Sequence, residues 1–101
     1  MAMTLKEQAQ KLLAKVPDEY MFRCQDGRIL KDMKELEEAL ATMTDETYAF
    51  HANAEKNDFT NWVRDVIGDE KLAKDLGKAT NRAQATKQAT IRVATLTKRL
   101  T

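Results

Sequence analysis

The chain has 101 residues, 43% of them hydrophobic and 33% charged, with a formal net charge of +1. That length allows one domain with a modest core. No apolar run approaches the ~20 residues needed to span a bilayer, and the single cysteine, Cys24, excludes an internal disulfide.

The near-balance of charge hides a division along the chain. Residues 78–101 carry six Lys/Arg and no Asp/Glu, whereas residues 1–77 carry eleven Lys/Arg against sixteen Asp/Glu. An anionic body and a cationic arm can hold each other, hold a second copy, or leave the arm to a polyanion. Met1–Val16 lacks the basic start and apolar centre of a signal peptide. With the lone thiol, this sets a cytoplasmic location as the expectation.

Thr4 and Glu7 have the spacing of a capping box. Leu5, Ala9, Leu12, Leu13 and Val16 then recur at helical intervals until Pro17, which predicts a first helix over about 4–15. Tyr20, Phe22 and Cys24 alternate with polar residues, and Asp26-Gly27 separates them from Arg28-Ile29-Leu30. This predicts a β-hairpin at about 20–30 with a two-residue type I′ turn and Cys24 facing Ile29. A lone hairpin is marginal in water, so it must lie on helices.

Asp32 with Glu35 starts a second helix, whose apolar stripe is Met33, Leu36, Leu40 and Met43. Thr44 caps a short third helix holding Tyr48 through Ala52. Phe59, Trp62, Val63, Val66 and Ile67 match the i, i+3, i+4, i+7, i+8 pattern and predict a fourth helix over 57–67, ended by Gly68. Asp69 caps a fifth, with Leu72, Ala73 and Leu76 inward. Gly77 either ends that helix or weakens a longer one.

Residues 78–100 read as a final helix, rich in alanine but also in threonine. Within it Ala89, Val93, Leu96 and Leu100 form a two-heptad seam, with Arg92 and Arg99 at its border. Lys78, Arg82, Arg92 and Arg99 share an arc that overlaps this seam, and Lys87 and Lys98 lie opposite. The fold class expected is mainly α, a compact bundle of about five or six short helices with one small N-terminal β-hairpin. Residues 1–77 form the body, and 78–101 a basic helix packing on that body or on a neighbouring chain. The expected core is Leu12, Phe22, Ile29, Leu36, Leu40, Phe50, Phe59, Trp62, Val63, Val66, Ile67 and Leu72.

Tyr20, Phe22, Asp26-Gly27, Glu35-Leu36, Phe50-His51, Asn53, Asn57-Asp58-Phe59, Trp62-Val63-Arg64-Asp65-Val66 and Asp69 carry a resemblance. Over residues 18–76 the chain resembles a small domain family of unknown function found mainly in archaea and bacteria. The run Asn57 to Asp69 is its specific part, and Ala52 stands where relatives are expected to have valine. The resemblance implies a self-contained module and no reaction, ligand or cofactor.

His51 is the only histidine, and with Cys24 as the only thiol the chain lacks the ligand set of a structural zinc site. No metal or cofactor is expected. There is no Gly-rich phosphate loop, no dinucleotide fingerprint and no ordered nucleophile–base set, so no catalytic residue is assigned. His51, Asn53, Asn57, Asp58 and Trp62 form a polar motif with two readings. In one, His51 ties the third helix to the fourth, Asn53, Asn57 and Asp58 satisfy free helix-end N–H groups, and Trp62 is core. In the other, they make an exposed rim that binds a peptide.

Two functions from different classes follow, with an enzyme set aside. The first is a non-catalytic protein-interaction module that self-associates through its C-terminal helix, using Val93, Leu96, Leu100, Arg92 and Arg99. The second is a nucleic-acid binder with residues 78–101 as a basic arm. A small hydrolase centred on His51 is a third, more distant reading.

Overall fold

The computed structural model describes residues 3–101. Helices α1 (Leu5–Leu13), α2 (Met33–Thr42), α3 (Asp45–His51), α4 (Asp58–Trp62), α5 (Glu70–Lys78) and α6 (Arg82–Lys98) are joined by a two-stranded hairpin of β1 (Phe22–Arg23) and β2 (Ile29–Leu30), which lies between α1 and α2 in the chain. The fold is mainly α with a small N-terminal hairpin.

Most helices start on a side-chain cap. Thr4 and Glu7 close a full capping box on α1. Asp32 Oδ1 accepts from Glu35 N–H at the start of α2, while the Glu35 carboxylate accepts from Lys31 N–H at 2.7 Å. Thr44, Asn57, Asp69 and Asn81 cap α3 to α6 in the same way. Each cap satisfies one of the backbone donors that a helix leaves open at its first turn.

The hairpin departs from expectation by one residue. Phe22 pairs with Leu30 and Arg23 with Ile29. Cys24 N–H donates to Arg28 O, and Gly27 N–H donates back to Cys24 O. The loop is therefore three residues, Gln25-Asp26-Gly27, closed by Gly27 at φ 96°. A type I′ turn would need Asp26 at positive φ, and among the described residues only Gly27 and Gly68 have it. Side chains alternate along a strand, so the shift turns Leu30 inward and leaves Ile29 44% exposed. Tyr20 lies in a 3₁₀ turn, Asp18–Tyr20, ahead of the strand.

The fourth helix also differs. After Trp62 the chain makes one turn of π-helix, Val63–Ile67, and both Gly68 N–H and Asp69 N–H donate to Val63 O. Gly68, at φ 89°, ends it in the left-handed region. The widened turn keeps Val63 and Ile67 buried but leaves Val66 only partly so.

Leu36, Leu40, Phe59, Val63, Leu72, Leu76 and Leu96 are all within 2% of complete burial. Phe50, expected in the core, is half exposed. Gly77 sits inside α5 and does not end it. Helix α6 packs on α2, α5 and α1, burying Ala85, Ala89, Val93 and Leu96 within its own chain.

Candidate functional site

The polar motif gathers where α3 ends, α4 begins and the hairpin loop meets them. His51 is 4% exposed, with its ring edge-on to Phe22 and Phe50 and tilted on Phe59. Gln25 N–H donates to its Nε2 at 2.9 Å. A nitrogen that accepts carries no proton, so the proton of neutral His51 resides on Nδ1. Nδ1 lies 3.0 Å from Asp58 Oδ2 and donates to it. The single histidine thus joins three elements: α3, the first residue of α4 and the hairpin loop.

Asp58 also receives Lys56 Nζ at 3.0 Å on the same oxygen. Burial works to raise its carboxyl, but the His51 and Lys56 hydrogen bonds and the Lys56 charge outweigh that and hold it below the usual carboxylate range. Lys56 Nζ stands 4.9 Å from the centre of the Phe50 ring, an exposed cation–π contact.

The asparagines are spent on backbone. Asn53 donates to Ala49 O and Phe50 O and accepts from Glu55 and Lys56 N–H, closing the α3–α4 turn. Asn57 accepts from Thr60 N–H and donates to Leu76 O, tying the start of α4 to α5. Trp62 is 7% exposed and its indole donates to Tyr20 O at 2.7 Å. A run of rings therefore leads from Phe50 through His51 and Phe22 to Trp62, which holds the Tyr20 backbone. Its two ends, Phe50 and Tyr20, are 51% and 55% exposed.

Cys24 is buried on the inner face of the hairpin, and burial pushes its thiol up, which keeps it protonated and poorly nucleophilic at neutral pH.

The C-terminal seam faces inward. Val93 and Leu96 are buried and Leu100 packs partly against the core, so these residues present no free apolar stripe to a second chain. Of the bordering cations, Arg92 donates to both oxygens of Asp69 at 2.7 and 3.2 Å. Arg82 donates to Asp45, Leu40 O and Ala41 O, clamping the α2–α3 corner. Among the described residues, Arg99, Lys78, Lys87 and Lys98 make no carboxylate ion pair. The sequence reading missed Asp69 as the acceptor, because its cap signal is local and a contact across 23 residues leaves no trace in spacing.

The surface is shallow. A cleft of about 480 Å³ lies between α3 and the start of α6, bordered by Asp45, Tyr48, Ala52, Asn81 and Arg82. Another of about 270 Å³ lies between α5 and α6, where Lys78 and Lys87 line it with Gln84 and Gln88. No family model, curated protein or solved structure matches the chain.

Proposed function

We propose that the chain is a non-catalytic protein-interaction module that makes contact through the exposed rings of Phe50 and Tyr20 rather than through the C-terminal seam. The observation that carries this reading is how the motif's polar groups are used. Both nitrogens of His51, both ends of the Asn57 amide and the Trp62 indole are committed to internal bonds. A base or nucleophile needs a free atom within reach of substrate, and this string spends its atoms on joining elements. It leaves half-exposed aromatic rings at both ends, and aromatic rings make good interface anchors. Membership in the small archaeal and bacterial family is part of the proposal, and the run Asn57–Asp69 supports it.

Self-association is the first form of interaction to test, because body carboxylates outnumber the cations that α6 uses internally. A second reading, a nucleic-acid binder, is favoured by one feature: Lys78, Lys87 and Lys98 are exposed without a carboxylate partner among the described residues. Solution mass measured at low and high salt, with and without duplex DNA, separates the two. Oligomers that dissociate on Phe50→Asp support the interaction surface. A DNA complex whose affinity falls steeply with salt and is lost on reversing Lys87 and Lys98 replaces that reading with the second.

A further inference from the structure

We propose that His51 is a proton-operated latch between the hairpin loop and the helical body. When Nε2 takes up a proton from water, the Gln25 end of the loop is released, while α3 stays tied to α4. The latch is independent of what the module binds.

The geometry sets two different fates for the two ring nitrogens. Nε2 faces a backbone N–H at 2.9 Å, a donor that cannot be reoriented without moving the chain. An imidazolium has two N–H donors and no acceptor, so protonation sets N–H against N–H at that distance. Nδ1 faces the Asp58 carboxylate at 3.0 Å, and there protonation of the ring converts a hydrogen bond into an ion pair. One contact is lost and the other gains.

Packing decides which partner moves. His51 is buried among Phe22, Phe50 and Phe59 at the end of a helix. Gln25 is exposed in a three-residue loop, and its side chain adds only a 3.4 Å bond from the Thr47 hydroxyl. The loop is the weaker side. Phe22 and Leu30, in the paired strands, keep the rest of the hairpin in the core.

The surrounding charges leave the histidine as the group that changes. On α4 and the turn before it stand Asp58 and Lys56, and Lys56 Nζ donates to the same Asp58 oxygen that His51 Nδ1 faces. On the hairpin stand Cys24, Asp26 and Arg28, and on α3 Tyr48. Burial works to raise Asp26 too, but the Arg28 backbone N–H, the Cys24 thiol and the Arg28 charge hold it below the usual range. Asp58 is held low as well, so both carboxylates stay ionised above about pH 5. Burial keeps the Cys24 thiol and Tyr48 phenol protonated at neutral pH.

The test follows the full chain by NMR between about pH 8 and 5. With one histidine, the imidazole signals are unambiguous. Two backbone amides are compared by hydrogen exchange, Gln25 N–H and Ala52 N–H, the latter bonded to Tyr48 O inside the body. At the upper end the ring should be the Nδ1–H tautomer. As it titrates, the Gln25 protection factor should fall roughly five- to tenfold, the range set by one net hydrogen bond, while Ala52 stays protected. His51→Gln keeps an acceptor that does not titrate, so its Gln25 protection should be independent of pH. The latch is overturned if Gln25 protection does not follow the imidazole titration. Joint loss of protection at Gln25 and Ala52, or a pH step that persists in His51→Gln, also overturns it. If that variant does not fold, the comparison of the two amides in the unaltered chain decides alone.

Discussion

Arg92 holds Asp69 with two hydrogen bonds, Nε to Oδ2 at 2.7 Å and Nη2 to Oδ1 at 3.2 Å, across a contact where Asp69 is 2% exposed. The same carboxylate caps α5 through Leu72 N–H. The last helix therefore supplies the charge that makes the cap of the preceding helix tolerable inside the protein. Arg92→Ala should destabilise the fold by about 3–5 kcal/mol, because it leaves a buried carboxylate without its cation. Replacing both residues by apolar ones of similar volume should recover most of that loss. Chemical denaturation of the single and double variants checks both statements, and a single variant with an unshifted midpoint contradicts the geometry.

The inward seam gives a second prediction. Val93→Asp with Leu96→Asp should abolish cooperative folding, since Leu96 is fully buried and Val93 nearly so. Leu96→Ala alone should cost about 2–5 kcal/mol. A doubly substituted chain that still melts cooperatively, seen by circular dichroism, would place α6 away from the body.

Gly77 offers a gain. It lies inside α5, and a Cβ there would meet Thr60 Oγ1 at 3.6 Å, an ordinary contact. Gly77→Ala should stabilise by about 0.4–1 kcal/mol, through lower freedom of the unfolded chain and better helix propensity. Gly68→Ala should act oppositely, by about 1–2 kcal/mol, because its φ of 89° is left-handed. Thermal midpoints of the two variants should move in opposite directions.

Asp58 sets part of the acid limb of stability. Its folded carboxyl titrates below its unfolded value, so its contribution is fully present above the ordinary value of about 3.9 and is lost as pH falls through the lower folded one. Asp58→Asn should flatten the stability–pH curve below about pH 4 and keep the His51 Nδ1 bond through the amide oxygen. Denaturation midpoints across that interval measure the slope, and an unchanged slope rules out the contribution.

Trp62 separates packing from hydrogen bonding. Trp62→Ala should cost about 3–5 kcal/mol. Trp62→Phe keeps most of the contact with Phe22 but drops the bond to Tyr20 O, at a cost of about 0.5–1.5 kcal/mol read from the denaturation midpoint.

What the sequence made legible was what depends on near neighbours. Thr4–Glu7, Asp32, Thr44, Asn57 and Asp69 act three residues ahead, and each start was readable. The Asp26-Gly27 pair was ambiguous because it serves both a two-residue and a three-residue loop, with Gly taking positive φ in either. That single ambiguity exchanged the roles of Ile29 and Leu30. The π-helical turn was invisible, because the apolar spacing of Phe59 to Ile67 fits a regular helix equally well. In the polar motif, His51 tying the third helix to the fourth was anticipated, whereas Asp58 as its acceptor and its bond to the Gln25 backbone were not, since a main-chain donor has no sequence signature. The seam of α6 was recognised as apolar, but periodicity gives a helix face and not the surface that covers it.

Helix α6 completes the walls of α2, α5 and α1 at once, which has a consequence for biosynthesis. A ribosome delivers residues 82–98 after every surface they cover. Until then the faces of α2 and α5 that α6 covers are open, the carbonyls of Leu40 and Ala41 lack Arg82, and Asp69 lacks its counter-charge. The emerging chain is thus open to chaperones and proteases until α6 docks. A stop codon placed early in α6 should lower the amount of protein in the cell far more than the number of missing residues suggests.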